Sequence, residues 1–172
     1  PSRKWIQVFR EGGMTMPWSE DYVWQVPEVS VQVVGYLTDF MYAGAREKDL
    51  PVAFYAMPHT PNNTDEDLRR STMSAIGHGA RILNYFCAFP KQFWYENYVD
   101  AANVSRYLTM GEMNHEIGAA DEYLVDARPR RAEVGIVVPD ASDIWENAGT
   151  GPYGDCDDCK SILFSEERKA LW

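Results

Sequence analysis

Residues 18–24 read WSEDYVW, so two adjacent carboxylates, Glu20 and Asp21, stand between Trp18 and Trp24 with Tyr22 alongside. Aromatic walls displace water from a carboxylate, disfavour its charged form and raise its pKa. The same rings offer a flat apolar face to a ligand. That combination suits acid/base or nucleophilic chemistry on a neutral ligand. The competing role for either acid is to cap the helix that follows or to pair with an arginine. A second grouping lies at 93–96, where Phe93, Trp94 and Tyr95 precede Glu96. A third holds His59 and Asn62, each able to hydrogen-bond a hydroxyl. Pro61-Asn62-Asn63 is equally a turn-forming string. Trp18 and Trp94 serve either as stacking platforms or as lids on a core.

Metal chemistry is poorly represented. Cys156 and Cys159 form a CxxC, while Cys87 stands alone. A structural zinc site needs four ligands, and neither a second CxxC nor a nearby HxxxH is present. His115-Glu116 begins a zinc-protease string whose second histidine position is Ala119. The sequence therefore calls for no metal and no cofactor. The formal charge of −10 repels phosphate backbones, which disfavours nucleic acid as a partner. No apolar run approaches the roughly 20 residues of a membrane-spanning helix, so no membrane partner is expected. Aromatics at 13% suit ligands with flat faces, sugars among them, although a large core uses the same residues.

The elements that must position these groups follow from periodicity. Residues 5–9 form a short β-rich apolar run, read as a strand, and a loop covers residues 12–25. Helical spacing starts near Val29 and passes through Val33, Tyr36, Leu37, Phe40 and Met41, with Gly44 closing it. Residues 52–57, bounded by prolines, read as a strand buried on both faces. Thr64 with Asp67 three residues on is a capping-box pattern that opens a helix. Residues 82–89 form another buried strand. A last long helix runs from about Ser105 to Arg128. The order is strand, helix, repeated three times, which predicts consecutive βα units on a parallel sheet in an α/β fold. Ligands of such sheets bind at the carboxyl ends of the strands. After Pro129 a fresh apolar run at 132–138 reads as a strand, followed by a loop too long for one compact unit. This predicts a domain of residues 1–128 and the start of a second α/β domain at 129–172. Both ends of the chain look cut, so a piece of a longer protein is expected.

The strings GHGARILNYFCAFP, the Glu96-Asn97 pair and ARPRRAEVGIVVPDASDIWE resemble the carboxyl-terminal part of family 42-type β-galactosidase-like glycoside hydrolases. The resemblance implies strands six to eight of a (β/α)8 TIM barrel at residues 5–9, 52–57 and 81–88. It further implies the first strand and helix start of a flavodoxin-like trimerisation domain, hence a trimer of the full-length protein. Its implied activity is hydrolysis of O-glycosidic bonds in a carbohydrate substrate. One departure stands out: the position nearest to the family's nucleophilic glutamate is Pro58, or Met57 if the register slips by one. Glycoside hydrolysis normally uses two carboxylates, so Glu20 and Asp21 become the catalytic candidates. Trp18, Trp24, His59, Asn62, Trp94 and Glu96 become the substrate-binding candidates, Glu96 matching a family glutamate that holds substrate hydroxyls. The alternative is a carbohydrate-binding or assembly protein on a barrel that has lost catalysis. Three strands of eight cannot surround a sugar, so residues 1–172 alone are expected to be inactive.

Overall fold

The computed structural model describes residues 5–20, 30–58, 63–86, 104–135 and 137. The elements are α1 (Trp5–Arg10), β1 (Trp18–Glu20), α2 (Ser30–Ala45), β2 (Val52–Ala56), α3 (Asp65–Gly77), β3 (Ala80–Tyr85), α4 (Val104–Ala119) and α5 (Asp121–Leu124). The chain divides into a unit of residues Ile6–Pro129 and a unit of Pro1–Trp5 with Arg130–Trp172.

Three parallel strands in the order β1-β2-β3 form the sheet. The fold is thus α/β, as the alternation of apolar runs predicted. Strand order follows chain order, with α2 joining β1 to β2 and α3 joining β2 to β3. The helices gather over one face. Phe54, Ala56 and Ala80 from the strands pack with Val34 of α2, Leu68 and Ala75 of α3, and Met110 and Met113 of α4. Each large side chain buried here contributes about 1.5–3 kcal/mol. A second cluster joins Phe9, Met41, Ala45 and Val52.

Local chemistry explains the helices. On α2 the buried positions Val34, Thr38, Met41 and Ala45 follow spacings of four, three and four, one stripe of a 3.6-residue turn. Thr38 avoids an unpaired buried hydroxyl by donating to the Val34 carbonyl at 2.8 Å. The α3 start is the predicted capping box: Asp67 N–H donates to Thr64 Oγ1 at 3.1 Å and Thr64 N–H donates to the Asp67 carboxylate at 2.9 Å. On α4, Arg106 is buried and donates to Asp65 at 2.7 Å, tying α4 to the first turn of α3. Gly79, between α3 and β3, has φ +109, and a Cβ there would lie 2.9 Å from Pro129 Cγ and 3.1 Å from Tyr42 Cδ2. Only glycine takes that backbone so close to two rings. Arg81 donates to the Ala127 carbonyl, and Arg128 pairs with Asp49 at 3.2 Å. Residues 127–129 are therefore held at the amino end of β3.

Three expectations are corrected. Residues 5–9 are helical, not a strand: Phe9 is buried while Gln7 and Arg10 are exposed, and Gln7 reaches Glu11 one turn on. A six-residue apolar run fits either period, and packing of Phe9 on α2 decides it. The first strand instead lies at 18–20, inside the predicted loop. It forms because β2 offers a free edge, Ala53 N–H donating to the Pro17 carbonyl at 2.8 Å and the pairs running on to Glu20. The barrel-strand assignment of 5–9 therefore fails, and with it the loop boundaries 12–25. Residues 132–135 and 137 are exposed and lie outside any strand, Val134 being 82% accessible. An apolar run becomes a strand only beside a ladder partner, and among the described residues none pairs with it. Smaller shifts also occur. The helix expected from Ser105 to Arg128 breaks at Ala120, α2 continues through Gly44, and β3 begins at Ala80.

Candidate functional site

The side of the sheet opposite the helices carries the candidate chemistry. Successive residues of a strand point to opposite faces, and paired residues of parallel neighbours share one. Phe54 and Ala56 face the helices, so Ala53 and Tyr55 face away. Trp18 pairs with Ala53, Glu20 with Tyr55, and Tyr55 with Asn84. Glu20, Tyr55 and Asn84 thus make one row across the three strands, at the carboxyl end of β1. Trp18 and Tyr55 pack with ring centroids 4.8 Å apart and planes tilted by 51°, and Tyr55 meets Phe86 at 6.5 Å and 59°. These tilted contacts lie within the range of favourable aromatic pairs, and they line up Trp18, Tyr55 and Phe86 as a floor beside the polar row.

Glu20 is the last residue of its strand and is partly buried. Burial pushes its carboxyl pKa up from the ordinary glutamate value. Among the described residues no side chain hydrogen-bonds or neutralises it, and the same holds for the polar ends of Tyr55 and Asn84. Arg81, the one arginine of the three strands, lies at the register shift of β3, donates to the Ala127 carbonyl and lines the cavity against α3 and α5, away from the Glu20–Tyr55–Asn84 row. Trp18 remains 43% exposed although it is a large apolar group. An acid with a raised pKa beside an accessible indole can deliver a proton to a ligand lying on the rings.

Of the sequence-derived site residues, Glu20 and Trp18 lie together on this face. Asp21, Trp24, His59, Asn62, Trp94 and Glu96 lie outside the described residues, as do Cys156 and Cys159. Met57 and Pro58, at the end of β2, are buried, and Met57 O accepts from Asn63 Nδ2 at 2.5 Å. Tyr55, Asn84 and Phe86 were not anticipated as site residues. Their signal was polar or aromatic side chains at same-face positions of two otherwise apolar runs.

Other polar groups are structural. His78 caps the end of α3, and its Nδ1 lies 3.0 Å from the Asp39 carboxylate on α2, which raises the imidazole pKa above its ordinary value. It precedes β3 and so lies at the opposite end of that strand from Phe86. Arg69 bridges α3 to Glu112 and Glu116 of α4. Tyr85 donates to Asn114 Oδ1 at 3.0 Å, and burial pushes its phenol up to about 12. An apolar cavity of about 160 Å³ lies between β3, α3, α4 and α5, with Ile76, Leu83, Ile117 and Leu124 in its wall. Among the described residues no helix is long and apolar enough to cross a membrane. Comparison with family models, with characterised proteins and with solved structures finds no match to this chain.

Proposed function

We propose that this chain is part of a β-galactosidase-like glycoside hydrolase, acting on O-glycosidic bonds of a carbohydrate from the carboxyl end of its parallel sheet. The observation that carries the reading is Glu20: a partly buried carboxyl of raised pKa at a strand's carboxyl end, on the face away from the described helices and beside an exposed indole. The winding supports it. Consecutive parallel strands with their helices on one side are the arrangement of a barrel wall, whereas a doubly wound sheet carries helices on both sides. In this reading β1, β2 and β3 serve as barrel strands six, seven and eight, with β1 in place of the residues 5–9 first expected there and Glu20 at the rim where barrel enzymes hold their chemistry.

In this reading Glu20, in its protonated form, gives its proton to the leaving glycosidic oxygen as the bond to the anomeric carbon breaks, burial favouring that form. Trp18 presents its face to the sugar ring. The second carboxylate is supplied from outside the described residues, Asp21 being the nearest candidate in the chain. Residues 1–172 alone are expected to show no turnover. In the full-length protein, Glu20→Gln is expected to lower turnover of an aryl β-galactoside at least about a hundredfold. A fall smaller than about threefold, far below what a general acid contributes, assigns Glu20 to structure. A second reading, a carbohydrate-binding protein without catalysis, is favoured by one observation: Met57 and Pro58 are buried where the resemblance puts the nucleophile.

A further inference from the structure

We infer that Tyr55 and Asn84 are the residues that position the sugar, and that the face they share with Glu20 and Trp18 takes a neutral pyranoside rather than a charged one. The inference rests on the carbohydrate reading of this face, but not on catalysis.

Position is the first ground. Glu20, Tyr55 and Asn84 are register partners, so their Cα atoms step across the sheet at one strand spacing each, about 4.8 Å. The whole row spans roughly 10 Å, two such spacings. Chemistry is the second ground. The row presents a carboxyl, a phenol and a carboxamide, which together donate and accept. None has a partner among the described residues. Groups of this kind on a half-buried surface need water or a ligand to satisfy them. The third ground is the apolar floor beside them. Trp18, Tyr55 and Phe86 form a continuous run of rings, and Trp18 keeps 43% of its surface accessible. A pyranose has the matching character, with hydroxyls around its edge and C–H groups on its face. Charge selects among sugars. This face carries a carboxyl, none of its strand positions is a lysine or arginine, and the chain bears a formal −10. An anionic sugar would lose its hydration with no cation among the described strand residues of this face to replace it.

The test is titration of the full-length protein with methyl β-galactopyranoside, methyl β-glucopyranoside and glucuronate, followed by tryptophan fluorescence and calorimetry. At least one neutral glycoside is expected to bind, and glucuronate at least about tenfold more weakly. Tyr55→Phe keeps the ring and its stacking, and is expected to weaken neutral binding about fivefold, the worth of one hydrogen bond. Asn84→Ala removes a group able to make two and is expected to weaken it about tenfold or more. Where a turnover assay exists, both changes should appear in KM more than in kcat. A purely structural role would alter the melt instead. Should Asn84→Ala unfold the protein, Tyr55→Phe alone decides.

Unchanged affinity in Tyr55→Phe, or in both variants, overturns the inference even if Glu20→Gln abolishes turnover. Absence of any neutral-sugar binding overturns it too, and would mean that this face is packed against protein. Binding that falls in both variants while no turnover is ever seen supports the inference and sinks the hydrolase reading instead. Equal binding of glucuronate removes the neutral-ligand claim.

Discussion

Replacing Gly44 by alanine sets two effects against each other, and the structure says which prevails. Gly44 lies inside α2, where alanine is intrinsically better by about 1 kcal/mol. A Cβ at this position would lie 2.9 Å from Cε2 of Phe9, closer still to Cδ2, and 3.6 Å from Cα of Ile6. Phe9 is 1% exposed and sits in the cluster with Met41, Ala45 and Val52, so its ring has nowhere to swing. Overfilling such a site costs about 1–3 kcal/mol, and here α1 must also shift bodily. The net expectation is a loss of about 1 kcal/mol or more, the overpacking cost outweighing the propensity gain. Gly111 on α4 is the control, because a Cβ there meets nothing within 4 Å. Gly111→Ala should gain about 0.5–1 kcal/mol. In urea, with a slope of about 1–3 kcal/mol/M, the two midpoints should separate by roughly 1 M in opposite directions from the parent. Adding Phe9→Leu to Gly44→Ala should recover part of the loss, a non-additive coupling of contacting residues. If Gly44→Ala proved as stabilising as Gly111→Ala, α1 would not be packed on α2 as described, and the helical assignment of residues 5–10 would lose its physical reason.

Further predictions concern charge and capping. Thr64→Ala removes the α3 cap and should cost about 1 kcal/mol in the same urea assay. Hydrogen bonds from the Thr64 side chain and backbone hold the Asp67 carboxyl below its ordinary 3.8. Its contribution is therefore complete above that value and is lost as pH falls through the lower folded-state pKa, a slope that Asp67→Asn should flatten. His78 runs the other way. Its folded pKa is raised above 6.5 by Asp39, so the pair stabilises fully below 6.5 and fades as pH rises through the folded value. Both side chains are over a third accessible, at 40% and 35%, so screening should hold the effect below about 1 kcal/mol, and Asp39→Asn should abolish it in melts from pH 6 to 9. In a spectrophotometric titration Tyr85 should ionise near 12, and a normal phenol in its place would contradict its burial against Asn114.

Much of this architecture was readable in advance where local chemistry and packing agree. Thr64 and Asp67 announced α3 because a capping box is complete within four residues. The proline-bounded run around Phe54 announced β2 because a strand buried on both faces shows as continuous apolar sequence. The helical spacing from Val29 to Met41 announced α2 as a helix, although its buried stripe runs through Val34, Thr38, Met41 and Ala45 and shares only Met41 with the apolar positions read from the sequence. The failures have a common cause. Residues 5–9 and 132–138 are apolar runs whose state depends on a distant partner. Phe9 finds α2 and becomes helical, whereas Val134 has no ladder partner among the described residues. Trp18-Ser19-Glu20 carries no strand pattern at all and acquires one from the edge of β2. The candidate site divides in the same way. Glu20 and Trp18 were visible as an acid among aromatics. Tyr55 and Asn84 were not, since an apolar run does not reveal which face each residue takes until its neighbour's register is known.

The alternation of β2 has a consequence for how this protein tolerates change over time. Val52, Phe54 and Ala56 answer to the packing of the helices, whereas Tyr55 answers to whatever meets the opposite side. If Tyr55 contacts the sugar as proposed, drift at Phe54 would be purged through abundance and at Tyr55 through selectivity, although one peptide bond separates them. Ligand preference on such a wall can diverge among descendants at every second position while the layer beneath stays constant. Variant libraries restricted to positions 18, 20, 55, 84 and 86 should therefore return a far larger share of folded members than libraries of equal size at 52, 54, 56, 83 and 85.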